Sequence, residues 1–523
     1  MKRIAPKALK DAIREGGELA ILDAREEGEF GTSHLFWASP LPLSRLPLMA
    51  RALVPNPRTR VVVTDDGRGL AERAASELEA IGFEEVSVLD GGTPAWEAAG
   101  YVLFSGVNVP SKAFGEWVEH HYDTESIDAA DLNALIERDE KMVILDSRPL
   151  EEFTRMSIPG GVNVPGGELA YRIGTLAPDP DTLVVVNCAG RTRSILGAES
   201  LRSAGIPNRV LALRNGTMGW ELAGFTCSRG EAMRYPDGTP GDLDTSLARA
   251  EALRSKHKVG LVDRATLDEW AADRSRTLYV LDVRDPAEFA HGHIPGSRSA
   301  PGGQLVQATD GWIAVRNARI VLVDDTGVRA RMTAQWLAQM GHRDIHVLED
   351  GLVPPLGTGP WVPEVELPDV ESFPLRAVHG ALGAGQARVV DLARSIAFRE
   401  GHIPGSLWGV RTRLDVLGNR LPESGLVAVT SPDGNRTAKL AVEELSELTP
   451  ARVGILEGGV AAWAASGLPL ASDRNDPPDE ACVDAYLRPY DRNSGVEEAM
   501  KAYLSWEIDL VKEIARDGDA GFG

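Results

Sequence analysis

The chain has 523 residues, 43% of them apolar and 25% charged, and its 77 acidic residues against 55 basic ones leave a net charge of −22. That is the composition of a folded protein of several domains, and such acidity argues against a nucleic-acid partner because it repels phosphate backbones. Three cysteines exclude a disulfide framework, and with no secretory apolar core and no run of about 20 apolar residues to span a bilayer, a cytoplasmic location without a membrane partner is expected.

Taken in chain order, one set of blocks recurs four times. The first unit, residues 1–105, carries ILDAREEGEF (21–30), the turn HLFW (34–37), the β-branched run VVVT (61–64) and LDGGTPAW (89–96). Residues 106–126 form a linker with a short predicted helix, SKAFGEWVEHHY. The second unit, 127–230, opens with a helix over 128–138 behind an Asp cap. It continues with ILDSRPLEEF (144–153), SIPG (157–160), VVVN (184–187), a polar loop, a helix over 194–204 and LRNGTMGW (213–220). Residues 231–257, rich in Gly, Pro and charge, read as a second linker. The third unit, 258–362, has a helix over 263–274, VLDVRDPAEF (280–289), HIPG (293–296) and IVLV (320–323). It closes on LEDG (348–351) without the Trp. The fourth, 363–472, has the weaker VVDLARSIAF (389–398), HIPG (402–405), VAVT (427–430) and LEGGVAAW (456–463). The tail, 473–523, begins irregular and Pro-rich and ends in one helix near 495–516. Its apolar stripe of Val496, Met500, Tyr503, Leu504, Leu510, Val511 and Ile514 should dock on the body.

The leading aspartates of the units, Asp23, Asp146, Asp282 and Asp391, are too far apart for a solenoid repeat, so each unit is a domain with its own core. Short β-branched runs alternating with helical segments predict the α/β class, with a small parallel sheet flanked by helices in every unit. Ligands bind such sheets at the carboxyl ends of the strands, which is where the polar loop after each β-branched run lies.

Only one of the four loops carries a thiol. The second unit reads Asn187, Cys188, Ala189, Gly190, Arg191, Thr192, Arg193, Ser194, whereas Asp65, Asp324 and Ser431 stand in place of Cys188 in the others. A Gly-containing turn from a strand tip into a helix points backbone N–H groups at a central anion, and the helix dipole and two arginines add positive charge. That environment favours a thiolate, a nucleophile at neutral pH, and suits a terminal persulfide equally well. The Asp-x-Arg pairs, such as Asp146 with Arg148, recur in thiol-free units and are therefore expected to be structural. Cys227 and Cys482 are expected to be ordinary semi-buried thiols. His120–His121 and His291-x-His293 lack further ligands at metal spacing, so no metal is expected.

The series Asp146, Arg148, Phe153, Pro159, Gly160, Cys188, Gly190, Arg193, Gly216 and Trp220, echoed in the other units, resembles the rhodanese-like sulfurtransferases, in particular their four-domain bacterial type. The resemblance implies four tandem rhodanese-like domains with a C-terminal helical tail. It implies Cys188 as sulfur carrier, Ala189, Gly190, Arg191, Thr192, Arg193 and Ser194 as the substrate loop, and Asp146, Arg148, Gly216 and Trp220 as structural neighbours. Asp65, Asp324 and Ser431 would mark decayed sites. No cofactor is implied beyond the covalent persulfide on Cys188. The partners would be a small sulfur donor, such as thiosulfate or 3-mercaptopyruvate, and a thiophilic acceptor such as cyanide, a thiol or a protein. The resemblance also implies that units one and two pack as a pair, with three and four as a second, thiol-free pair; lacking a thiol, the third and fourth units are expected to be dispensable for the chemistry. Two departures bear on the donor: Ser157 replaces the His of HIPG, and the CAGRTR loop matches neither the thiosulfate nor the mercaptopyruvate type. The competing readings are a sulfur-relay or partner-binding scaffold and a rhodanese-like phosphatase or arsenate reductase. The latter uses Cys-x5-Arg, but here the sixth residue after Cys188 is Ser194, with Arg193 one position early.

Overall fold

The computed structural model describes residues 1–523. It contains four sheets of one topology. In every unit the five strands, counted in chain order, lie side by side as 1-5-4-2-3 and run parallel. In the second unit these are Ser126–Ile127, Met142–Asp146, Val162–Asn163, Leu183–Asn187 and Val210–Leu213. The β-branched runs form the fourth strand, at the centre of each sheet. In the second unit Val184, Val185 and Val186 are buried on both faces, as a sheet covered by helices on each side requires. The fourth sheet, Ser372–Phe373 to Arg452–Leu456, keeps the same order despite its weaker motifs. No helix is long and apolar enough to cross a membrane.

The recurring sequence blocks hold each sheet together locally. Arg25, Arg148 and Arg284 each grip the aspartate two residues earlier through two guanidinium nitrogens. Each also donates to a carbonyl before the HIPG-type turn, those of Ser33, Met156 and Gly292. The fourth unit lacks this pair: Arg394 lies one residue too late and binds Glu27 of the first unit, and burial pushes the Asp391 carboxyl up to about 6. The His of the turn stacks on the Phe of the preceding block, with ring centroids 3.9 Å apart for Phe30–His34, Phe289–His293 and Phe398–His402. This His is a packing residue. Ser157 takes its place in the second unit, where its buried hydroxyl finds no partner.

Units one and two do not form the expected pair, nor do three and four. The third unit is the hub. Its strand Val315–Arg316 leaves its own sheet and pairs antiparallel with Leu19 and Ala20 of the first unit, and a single apolar core runs through both units. Its other side meets the second unit. There Gly302 and Gly303 pack backbone to backbone against Gly166 and Gly167, Arg329 bonds Glu168 at 2.7 Å, and Trp336 Nε1 donates to Ser200 Oγ at 2.8 Å. A Cβ at Gly303 would stand 2.9 Å from the Gly166 nitrogen, so the approach depends on glycine. The fourth unit instead touches the first, through Arg394–Glu27 and Arg413–Glu29.

Both linkers are more ordered than their composition suggests. The first is the helix Val109–Tyr122, buried among units one, two and three. The second contains the helix Leu243–Lys256, which packs on Val328–Gln339 of the third unit. The tail helix, Val496–Asp517, docks along Val109–Tyr122 with Met500, Leu504, Leu510 and Ile514 buried as the stripe predicts.

Candidate active site

Cys188 follows the central strand Leu183–Asn187 of the second sheet. The strand tip is fixed before the cysteine is reached. Asn187 Nδ2 donates to Asp146 at 2.9 Å, and Ser147 donates to the Asn187 carbonyl from both its backbone N–H and its hydroxyl. After the cysteine, the Thr217 N–H bonds the Cys188 carbonyl at 2.9 Å and the Met218 N–H bonds that of Ala189 at 3.0 Å. Gly216 makes this clasp sterically feasible. Its φ is +54°, and a Cβ there would lie 2.2 Å from the Cys188 carbonyl oxygen. Trp220, from the same block, is a core residue whose indole bonds the Thr226 carbonyl.

The loop then turns into the helix Thr192–Ser203. The backbone N–H groups of Ala189, Gly190, Arg191, Thr192, Arg193 and Ser194 donate to nothing within the chain. They form a set of free donors at a helix N-terminus, beside a thiol that is 2% exposed and accepts a hydrogen bond from Ser194 Oγ at 3.1 Å. Such a cradle is built for an anion.

The loops of the cysteine-free units show what the cradle does when filled. Asp65 accepts from the N–H groups of Gly67, Leu70 and Ala71, and Asp324 from those of Gly327, Arg329 and Ala330. In the fourth unit, Ser431 Oγ accepts from the Ala438 N–H and donates to Asp433, which also takes the Thr437 N–H. Each of these loops contains its own carboxylate in the position an external anion would need. These decayed sites are self-occupied.

The two loop arginines are engaged. Arg191 is held by Glu116 at 2.7 and 2.8 Å, by Glu119 and by Asn215, so its charge is spent on the helix Val109–Tyr122. Arg193 forms a two-pronged pair with Glu152 at 2.7 and 2.9 Å and reaches Gln304 of the third unit at 3.4 Å. Burial opposes the charge of Arg193, but Glu152 and the sulfur of Cys188 hold it cationic. Burial likewise opposes ionisation of Glu152, but Arg193 outweighs it and brings the carboxyl down to about 2.

Above the loop lies a cavity of ≈ 390 Å³. Its floor is Cys188 to Arg193; its walls come from Gln304, Gln307 and Ala308 of the third unit and from Tyr486, Arg488, Tyr490, Tyr503 and Glu507 of the tail. The tail helix presses on the loop itself: a Cβ at Gly190 would meet Glu507 Oε2 at 3.0 Å. The third unit, read from the sequence as remote from the thiol, and the tail both line the cavity over Cys188. Glu507, Lys112, Glu152 and Gln304 are site residues that the sequence reading does not assign to the site. Two of them leave a trace in the sequence: Glu152 as the Glu before Phe153 in the recurring block, and Glu507 as an acidic residue on the apolar stripe of the tail helix. Cys227 and Cys482 lie outside the cavity; burial pushes the Cys227 thiol up to about 12 and raises that of Cys482.

A cysteine at the carboxyl end of a parallel strand, facing a loop of free amides, defines an anion-cradling thiol site in a tandem α/β protein. The chain belongs to the rhodanese-like domain family, whose model matches residues 5–99, 128–223 and 264–354. It is similar over 100% of its length, and 99% of the other chain, to the crystal structure of a thiosulfate sulfurtransferase from Pseudomonas aeruginosa, at 43% identity and a TM-score of 0.92. Two curated proteins of Mycobacterium tuberculosis match over shorter stretches. One is "HTH-type transcriptional regulator Rv0324", 33% identical over 18% of this chain and 42% of its own. The other is "Putative thiosulfate sulfurtransferase SseB", 34% identical over 22% of this chain and 43% of its own. The chain thus spans less than half the length of the curated relatives it matches.

Proposed function

We propose that the protein is a sulfurtransferase in which Cys188 carries a sulfane sulfur from a small anionic donor, thiosulfate or 3-mercaptopyruvate, to a thiophilic acceptor. The observation that carries this reading is the contrast among the four cradles: three hold a carboxylate of their own, and the one that does not has a thiol at its base. The Cys188 thiolate attacks the outer sulfur of thiosulfate. The S–S bond of the donor breaks, sulfite leaves with the electron pair, and Cys188 keeps a persulfide. The terminal sulfur, negatively charged as it forms, is stabilised by the free N–H groups of residues 189–194 and by the helix N-terminus behind them. The Ser194 hydroxyl supports the inner sulfur. In the second half-reaction cyanide or a thiolate bonds to the outer sulfur, and the electron pair of the S–S bond returns to Cys188. The similarity to the thiosulfate sulfurtransferase of Pseudomonas aeruginosa supports the same reading.

The test is intact mass after incubation with thiosulfate and, separately, with 3-mercaptopyruvate. Addition of one sulfur atom at Cys188, removed by cyanide, is the expected result. Cys188→Ser should abolish it, while Cys227→Ser and Cys482→Ser should not. Sulfur transfer by the Cys188→Ser variant would refute the mechanism.

A further inference from the structure

The cavity over Cys188 is larger than the donor chemistry requires. At ≈ 390 Å³ it falls in the range of sites that hold small organic ligands, about 300–1,000 Å³. Thiosulfate, five heavy atoms, needs only the amide cradle on the floor. The remaining volume has a definite character. In a chain of net charge −22, eight cationic side chains line it against four acidic ones. Most of the cations are already paired: Lys112 with Glu507, Arg148 with Asp146, Arg155 with Asp491, Arg191 with Glu116 and Arg193 with Glu152. Three are not. Arg474 donates only to the carbonyls of Tyr490 and Arg492, and Arg229 only to that of Arg155. Arg488 comes no nearer to a carboxylate than 3.9 Å from Glu152, which is committed to Arg193.

Two of these three, Arg474 and Arg488, belong to the irregular part of the tail, ahead of its helix. That segment is strapped across the second unit by Arg155–Asp491 at 3.0 Å and by Tyr490 OH to Thr217 Oγ1 at 3.3 Å. Thr217 sits in the block that clasps the Cys188 carbonyl. The strap is thus held in fixed relation to the reacting sulfur. The same cavity is also lined by Tyr486, Tyr490, Tyr503 and Met218, which suit a short apolar or peptide-like stem.

We propose, resting on the Cys188 persulfide of the preceding section, that Arg474 and Arg488 of the tail, with Arg229, form a distal anion subsite that selects the sulfur acceptor as a low-molecular-weight organic thiol bearing a carboxylate away from its sulfur. Its thiol sulfur bonds to the outer sulfur of the Cys188 persulfide anion as the thiol's own proton passes to that sulfur, the S–S bond to Cys188 breaks, and the electron pair returns to Cys188 as thiolate. The product is R–S–SH, with no outside proton, oxidant or reductant. The arginines touch only the far end of the acceptor and are specificity residues.

The full-length protein is loaded with thiosulfate, and discharge of the persulfide is followed by mass with glutathione, 2-mercaptoethanol or cyanide as acceptor. In Arg474→Ala/Arg488→Ala, the half-saturating concentration of glutathione should rise tenfold or more, while discharge by 2-mercaptoethanol and cyanide stays within threefold of wild type. Unchanged cyanide discharge also shows that the site is intact. Arg488→Glu should shift preference from glutathione toward the cationic thiol cysteamine. Equal slowing of all acceptors, or an unchanged response to glutathione, overturns the subsite. A defect confined to loading from 3-mercaptopyruvate overturns its assignment to the acceptor and marks a donor subsite instead. A wild-type Cys188 that takes up no sulfur from any donor defeats the underlying persulfide reading, a failure visible before any acceptor is added.

Discussion

Removal of the Glu507 side chain tests whether the tail is a fixed wall of the cavity. Lys112 and Glu507 face each other at 2.7 Å with side-chain exposures of 6% and 1%, and Tyr503 and Thr192 also donate to the same carboxylate oxygen. Burial alone would lower the Lys112 ammonium, but Glu507 and Tyr503 hold it above its ordinary value. Glu507→Ala leaves that ammonium buried without a counter-ion, which costs about 3–5 kcal/mol. The remedy open to the protein is to lift the tail helix and let water reach Lys112. At about 1.4 kcal/mol per factor of ten, the opening equilibrium of Val496–Asp517 should rise roughly a hundredfold to several thousandfold. Amide hydrogen exchange of the tail peptides in the full-length protein measures this directly. The double variant Lys112→Met/Glu507→Leu replaces the pair with apolar side chains and should recover most of the protection, because the penalty belongs to the orphaned charge. Exchange in Glu507→Ala within threefold of wild type, or a double variant as open as the single one, would refute the argument.

Three further perturbations follow from the loop geometry. Gly216→Ala places a Cβ 2.2 Å from the Cys188 carbonyl at a φ of +54°; persulfide loading should fall at least tenfold in single-turnover mass measurements while the overall circular dichroism is unchanged. Glu152→Gln removes a carboxylate whose folded-state value lies near 2, below its ordinary 4.5. The stability it contributes is present above about pH 4.5 and is lost as pH falls toward 2, so the variant should have a flatter acid-denaturation profile in that window; identical profiles would show that the pair with Arg193 contributes nothing. Asp324→Ala strips the acceptor from three buried N–H groups and should weaken the third unit by about 2–4 kcal/mol in denaturant unfolding, with no gain in sulfur loading there.

The features legible in the sequence are those whose parts lie close together in the chain. Asp146 and Arg148 are two residues apart, and Cys188 to Ser194 is one continuous loop. The β-branched runs announce buried parallel strands at four regular places, so the fold class and the position of the thiol could be read directly. The walls of the site could not. Glu507 meets Lys112 across most of the chain, and Gln304 reaches Arg193 only because Gly302 and Gly303 pack on Gly166 and Gly167. The unit pairing was hidden for the same reason: a two-residue strand, Val315–Arg316, adds to another unit's sheet, and nothing in its composition names its partner. The helix Leu243–Lys256 is a different case. Its Ala, Leu, Arg and Glu content favours a helix, but the Gly- and Pro-rich residues ahead of it dominate the linker's composition.

The retention of three thiol-free units has a physical explanation in the cradles themselves. A loop of converging N–H groups without an anion leaves donors unsatisfied, a cost of about 1–3 kcal/mol for each one kept from water. The second unit tolerates this because its donors face an open cavity, where water or a substrate can reach them. Asp65, Asp324 and the Ser431–Asp433 pair supply the anion or acceptor internally, which turns a site that waits for a ligand into a self-contained loop. Once freed from catalysis, a unit can be held by its neighbours at surfaces a catalytic domain would need to keep open. The third unit lends a strand to the first and Gln304 to the site in the second, and the first and fourth meet through arginine pairs. The tail then borders the one cradle that has no carboxylate of its own. The geometry is that of a single thiol site, with the second unit supplying the cysteine and the third unit, the first linker and the tail supplying the rest of the cavity wall.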